Sequence, residues 1–454
     1  MKKRYVKIVT AVSLLSAFAL TLTSCTLGFG NFVTRNPYEV ATDLGYTDSI
    51  GAWLAGNTAP STEARRMYEE AKADGYEGSY VDFLKETGYS SDETGSVNRA
   101  LMSTVSVVCQ FEMNAKTEIG GSLFDNGTQG YVSMGSGVIY SLDRANGSAY
   151  IVTNYHVVYS NYSLGKESIA HISDDITLYL YGGEITGREI SASFVGGTME
   201  YDIAVLRVEN SEVLKESSAM AIAAADSNAL TVGDRVYAIG NADAEGMTVT
   251  SGVISVDAEH IDIELADGKT TASMLVLRTD APINHGNSGG GLYDASGRLV
   301  GIVNARSEAD GVLGFGYAIP VNLALSVAQN IIDNSKLNDS KGAMRAMLGI
   351  SVQVADTQSV FDEETDRAYV METVTVVEVN YGGAAYGKLK SGDVLYSVQI
   401  GDGKPQKITR MFMLTNVLFN VRKGDTVKIV VAREDETVTV EIVYDSNSMF
   451  TLYH

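Results

Sequence analysis

Cysteine is nearly absent: two in 454 residues, Cys25 and Cys109, which excludes a scaffold stapled by several disulfides. Histidine is almost as scarce, with five scattered copies, and no Cys/His group has zinc-ligand spacing, so no structural metal is expected. Basic residues are outnumbered, 34 Lys and Arg against 56 Asp and Glu. The net charge of −22 argues against nucleic acid as a partner, because phosphate binding needs a positive surface. Proline is rare at 5 while glycine reaches 45, a ratio that excludes collagen-like and Pro-rich linker sequence and points to turn-rich β structure. What is present is a globular composition, 45% hydrophobic and 20% charged. The length suits about two or three domains, each with its own core.

The first residues carry Lys2, Lys3, Arg4 and Lys7, then an apolar run from Val9 to Leu22 that is short for a membrane span. The run ends in Leu22-Thr23-Ser24-Cys25, which resembles a bacterial lipobox. Residues 1–24 are therefore expected to be a lipoprotein signal peptide, with Cys25 lipidated and the protein tethered to the extracytoplasmic face of the cell membrane. Loss of the four basic residues would take the net charge to −26, so the lipid rather than the acidic surface would hold the protein at an anionic membrane. Cys109 then has no partner. It lies in the alternating stretch Val105-Ser106-Val107-Val108-Cys109-Gln110-Phe111 and is expected to be a buried, inert thiol.

Residues 25–100 read as an acidic stalk with two helical repeats. Ala41 to Ile50, followed by Trp53-Leu54, matches Ala71 to Tyr80, followed by Phe83-Leu84, with a period of 30. Each copy suggests a helix end, a Gly-Tyr turn, a Ser cap and a second short helix. From about residue 101 the pattern changes to short β runs between Gly, Asn and Asp turns: Gly137–Tyr140, Tyr150–Thr153, Ile176–Leu180, Ile203–Leu206 and Leu299–Val303. Runs at this spacing suggest a sandwich or barrels. Residues 321–334 read as a helix, Asn334-Ser335-Lys336 as the opening of a linker, and 345–446 as a smaller α/β unit.

Three residues form a nucleophile constellation. His156 follows the run Ile151-Val152-Thr153, Asp202 precedes Ile203-Ala204-Val205-Leu206, and Ser288 stands in Asn284-His285-Gly286-Asn287-Ser288-Gly289-Gly290-Gly291. A serine hydroxyl needs an imidazole base, and the imidazole needs a carboxylate to fix its tautomer. The glycines serve the developing oxyanion. Gly286 lets the chain turn so that the amides of Gly286 and Ser288, either side of Asn287, face one hole.

These motifs, with Thr153-Asn154-Tyr155-His156-Val157-Val158, Thr279-Asp280-Ala281-Pro282-Ile283, Ala238-Ile239-Gly240-Asn241, Thr248–Ser255 and Gly314–Pro320, resemble the HtrA (DegP-like) family of trypsin-fold serine proteases from about residue 101 to 445. The resemblance implies a mainly β fold: two six-stranded trypsin-like β-barrels within 101–335, followed by an α/β PDZ domain over 345–446, behind a short helical N-terminal stalk. His156 and Asp202 would come from the first barrel and Ser288 from the second. The family usually has proline where this chain has His285 and Gly291. His171 and Asp174 or Asp175 are expected to be loop residues in an insertion near 159–175.

Pro282 would sit at the base of the primary pocket beside Ile283 and Leu313, with Asp280 as the nearest upstream carboxylate. Cleavage is expected after small or medium aliphatic residues. In the last unit, Leu348-Gly349-Ile350 resembles the carboxylate-binding loop of PDZ domains, with Gly382–Ala385, Leu389–Leu395, Val421–Val427 and a helix near 410–420 matching the same module. The reading is a serine endopeptidase that needs no cofactor, takes unfolded or misfolded polypeptides, binds peptide C-termini through its PDZ domain and forms a homotrimer. The alternative is a non-catalytic peptide-binding sensor or chaperone of the cell envelope.

Overall fold

The computed structural model describes residues 93–113, 129–161, 171–242, 245–304, 314–338, 341–362, 367–434 and 436–454, with Tyr68, Ala71, Lys72 and Tyr76 before them. Cys25, the signal segment, Leu313 and most of the repeated stalk lie outside the described residues. In the second repeat, the Tyr76 amide donates to Ala71 O at 2.8 Å, a bond that caps the end of a helix. A helix α1 (Glu93–Leu101) leads into the strands.

β1 (Thr104–Met113), β2 (Gln129–Asp143), β3 (Ser148–Thr153), β4 (Asp175–Leu180), β5 (Ile190–Thr198) and β6 (Ile203–Val208) close into a barrel in the order β1-β2-β3-β6-β5-β4. Period-two patterning makes its core: Val105, Val107, Cys109 and Phe111 point inward along β1, against Ile176 and Leu178 of β4. Cys109 is buried and free, and burial, with Asp175 nearby, pushes its thiol well above the ordinary range. Two short helices interrupt the barrel, α2 (Tyr155–Val158) after β3 and α3 (Gly183–Thr186) after β4.

A second closed barrel, in the order β10-β11-β12-β9-β8-β7, follows from β7 (Arg235–Gly240), β8 (Thr248–Glu264), β9 (Thr271–Thr279), β10 (Gly291–Asp294), β11 (Leu299–Asn304) and β12 (Gly316–Pro320). Closure leaves neither sheet with an open edge. All six residues of β11 are buried, and helix α4 (Val321–Asn338) packs on β11 and on β5 and β6 of the first barrel.

Two sequence expectations are corrected. Asp175 is not a loop residue: it opens β4, because Gln110 of β1 pairs opposite it, while His171 stands at a positive φ of 78° beside the isolated bridge Tyr159–Ile172. The helix does not stop at Asn334. Asn334 Nδ2 donates to Asn330 Oδ1 at 2.7 Å and Ser335 Oγ to Ile332 O at 2.9 Å, so both side chains bond inside the helix and the turn continues to Asn338.

The distal unit has two sheets. β13 (Ala343–Ala346) pairs with β20 (Phe450–Tyr453). β14 (Ile350–Asp362), β15 (Arg367–Val379), β16 (Val394–Ile400), β18 (Thr426–Arg433) and β19 (Glu436–Val443) form the larger sheet, with β17 (Gln406–Lys407) beside β16. Helix α5 (Met411–Leu418) buries Leu414, Val417 and Leu418 in that unit's core, so these side chains pack rather than line a groove. Arginines of this unit meet aspartates of the second barrel and of α4: Arg367 with Asp234 at 2.9 Å, Arg410 with Asp257 at 3.3 Å and, on α4, Arg422 with Asp333 at 2.7 Å. The β20 end reaches the first barrel, where Met199 N donates to His454 O at 2.7 Å and the Tyr201 ring packs edge-on against Tyr453 and Phe419.

Candidate active site

β3 ends at Thr153, and α2 begins two residues later. Tyr155, Val157 and Val158 of that turn are buried and anchor it, which leaves His156 at the barrel rim with 13% of its side chain exposed. Asp202 immediately precedes β6 in a left-handed conformation, φ 48°, which costs a non-glycine residue about 1–2 kcal/mol. The conformation is held locally, because Asn154 Nδ2 donates to the Asp202 carbonyl at 2.9 Å.

The Asp202 carboxylate is fully engaged. Oδ1 accepts the His156 backbone amide at 2.9 Å. Oδ2 lies 2.7 Å from His156 Nδ1 and accepts Asn304 Nδ2 at 3.0 Å. A carboxylate can only accept, so Nδ1 carries the proton and Nε2 is the imidazole's basic nitrogen. Asn304 closes β11 of the second barrel, so the carboxylate is held from both barrels.

Ser288 stands in the second barrel just before β10 and is 6% exposed. Asn287 N donates to Asn284 O at 3.1 Å, closing a four-residue turn with Gly286 in third place at φ 89°. Positive φ there is the mark of a type II turn and requires glycine; a type I turn would rotate the His285–Gly286 peptide by about half a revolution. Gly289, at φ 81°, is pressed onto the first barrel: a Cβ would enter contact distance of Ser136 O and Thr153 Oγ1 and come 3.0 Å from Asn154 N. Gly135 fits between the two sites, since its Cβ would lie 2.7 Å from Val157 Cγ2 and 3.1 Å from Ser288 O.

Ser136 joins them by hydrogen bonds. Its amide donates to Ser288 O at 2.8 Å, its hydroxyl donates to Gly286 O at 2.7 Å and accepts from Asn241 N at 2.8 Å, and its carbonyl accepts Thr153 Oγ1 at 2.6 Å. Thus His156 and Asp202 touch directly, and the Ser288 loop is seated against the strand end that carries His156.

Residues 135–302 match a family model described as a trypsin-like peptidase domain. The chain is 30% identical over 373 residues to the serine protease Do-like HtrA of Lactococcus lactis subsp. cremoris, covering 78% of this chain and 82% of that one. The chain belongs to the HtrA family of serine endopeptidases. It is also 30% identical over 338 residues to the periplasmic pH-dependent serine endoprotease DegQ of Escherichia coli, of which it spans 64%. Among solved structures it resembles the HtrA-type protease AlgW with tripeptide, at 27% identity and a TM-score of 0.47 over 80% of this chain and 97% of that one.

Against this HtrA background the unusual residues have local causes. Gly291 replaces a proline because Tyr293 fills the space around it: a Cβ at 291 would collide with the Tyr293 ring. Tyr293 is fully buried and its hydroxyl lies 2.8 Å from Thr104 Oγ1. Burial pushes its pKa up to about 12 against the pull of Ser103 and Thr104. His285 is exposed on the turn. Asp280 Oδ1 accepts Val253 N at 2.6 Å, so it serves the backbone. The Ile283 side chain fills the room over Gly316, whose Cβ it would exclude.

Sequence reasoning named neither Asn304 nor Ser136. A lone polar residue closing an otherwise apolar strand was the available signal for Asn304; Ser136 left none. In the distal unit, Gly349 has φ 69° and sits so close to Gly383 that a Cβ would lie 2.7 Å from its Cα, while Ala385 N donates to Leu348 O at 2.9 Å. The loop Leu348–Ile350 therefore packs on the Gly382–Ala385 segment.

Proposed function

We propose that this serine endopeptidase works from a lipid anchor at Cys25 on the extracytoplasmic face of a cell membrane and cleaves unfolded or damaged proteins with His156, Asp202 and Ser288. The observation that carries the site assignment is the 2.7 Å contact of His156 Nδ1 with a carboxylate that accepts from both barrels. Ser288 Oγ attacks the scissile carbonyl while His156 Nε2 takes its proton, and Asp202 stabilises the imidazolium. The amides of Gly286 and Ser288 receive the oxyanion; one such donor is worth about 2.7–4 kcal/mol of barrier. The imidazolium returns its proton to the leaving amine, leaving an acyl-enzyme. Water, deprotonated by the same nitrogen, then releases the acid.

Ile283 over Gly316 supports a shallow apolar pocket for small or medium aliphatic residues. Such a pocket separates neighbours by only about 1–3 kcal/mol per methylene. Leu348–Ile350 and β14, which stands at the edge of its sheet among the described residues, suit a PDZ mode in which a peptide C-terminus adds as a strand and biases the protease toward activity. The trimer is carried over from the family resemblance.

The test is fluorophosphonate labelling with casein cleavage. The wild type should label on Ser288 and degrade casein; Ser288→Ala should do neither. Cleavage near the wild-type rate in Ser288→Ala would remove the assignment. Cys25→Ser should abolish incorporation of labelled palmitate and release the protein from membranes.

A further inference from the structure

We propose that a groove on the side of Ser288 away from Ile283 receives the substrate segment that follows the scissile bond, and that Glu184 and Glu245 favour lysine or arginine there. The proposal rests on the protease reading above and names the substrate feature this site selects.

The groove encloses about 700 Å³ between α3 of the first barrel and Asn241, Glu245, Gly246 and Met247 of the second. Its inner end adjoins the catalytic turn twice. Asn241 lines it and reaches Gly286 O through the Ser136 hydroxyl. Met134 lines it beside Gly135, the residue packed under Ser288 O. None of its lining residues belongs to the Pro282–Ile283 and Gly316 side. An extended chain that places the residue before the cut on Ile283 must carry the residues after it toward Met134 and Asn241, at about 3.3 Å per residue.

The lining is apolar and acidic. Met134 is 43% exposed and Tyr181 53%, both large enough to cover the stem of a long side chain. Glu184 reaches the groove wall from α3. Its Oε1 accepts Asn241 Nδ2 at 3.2 Å and the Ser106 hydroxyl, while Oε2 has no donor among the described residues. Glu245 is exposed on the opposite wall, and among the described residues no Lys, Arg or His lines the groove. One free carboxylate oxygen, a second glutamate in the lining, and the rings of Tyr179 and Tyr181 form a receptor for a cation on an aliphatic stem.

Binding separates this proposal from the protease reading. Full-length Ser288→Ala protein is titrated with fluorescent peptides that share one aliphatic residue before the cut and carry Lys, Ala or Glu at the second to fourth positions after it. All are C-terminally amidated, so that Leu348–Ile350 finds no carboxylate. The Lys peptide should bind about tenfold more tightly than the Glu peptide, a preference that shrinks with salt and falls below about threefold in Glu184→Gln or Glu245→Gln.

Glutamine keeps an acceptor for Asn241, and Glu245 is exposed, so both variants should fold. Fluorophosphonate labelling of the same substitutions on the active protein reports on the catalytic turn without using this groove. Equal binding of Lys and Glu peptides would overturn the proposal, whether or not the wild type cleaves them. A Lys preference untouched by both variants would overturn it equally.

Discussion

The two barrels hold their shares of the site by different means. The first fixes His156 and Asp202 with side-chain hydrogen bonds: both carboxylate oxygens are taken, and Asn154 ties down the strained backbone at 202. The second fixes Ser288 through glycines. Gly286 turns the chain at positive φ, and Gly289 admits no Cβ against Ser136 and Thr153. The difference teaches where each half tolerates change. The acid–base half should survive substitutions that keep its hydrogen bonds, whereas the nucleophile half should fail on adding one methyl group.

The largest effect should come from breaking the first half's electrostatics. Asp202→Asn keeps the shape but presents an amide to Nδ1, and kcat should fall about 10⁴-fold while KM changes little. A loss under tenfold would mean that the carboxylate is not what orients His156. Gly289→Ala should follow, through packing. Its Cβ enters the Ser136–Thr153 contact at φ 81°, so the barrels should lose about 2–3 kcal/mol in urea unfolding and Ser288 labelling should slow sharply. A fully stable Gly289→Ala enzyme would erase the contrast between the halves.

Asn304→Ala removes a donor that the second barrel gives to the first barrel's carboxylate. A charge-assisted bond of this kind is worth about 1.5–3 kcal/mol, so kcat/KM should drop about 10- to 100-fold. An unchanged value would mean that the first barrel holds Asp202 alone.

The smallest effect lies outside both barrels and serves as a control. Burial would raise the Asp393 carboxyl, but Arg433 and the Lys390 amide outweigh it and hold it below the usual carboxylate range. A carboxyl depressed on folding stabilises the fold above its unfolded pKa of about 3.9 and loses that contribution as pH falls through the lower folded value. The distal unit should therefore weaken in acid below about pH 4. Arg433→Ala should flatten that step, read by tryptophan-independent circular dichroism across pH 2–6. A step of unchanged size would assign the acid sensitivity elsewhere.

The parts legible in the sequence are those that depend on neighbours along the chain. Alternation in Val105–Phe111 and Ile176–Leu180 marked strands of the first barrel, and the glycines around Ser288 announced a turn. What escaped depends on distant pairing. Nothing near residue 304 says that its amide meets Asp202, and nothing near 136 says that its hydroxyl bridges Gly286 and Asn241. The helix extension past Asn334 escaped for a subtler reason. Asn and Ser usually compete with the helix, but here their side chains find partners within it.

The clasp at Met199 has a consequence for the newborn chain. Three residues before Asp202, the Met199 amide is bonded to the main chain at residue 454, and Tyr201 is braced by Tyr453. A ribosome finishes both barrels long before it reaches that strand. A half-made molecule thus carries His156, Asp202 and Ser288 without the brace on the carboxylate's loop, and the protease gains that last support only once its distal strand has been made.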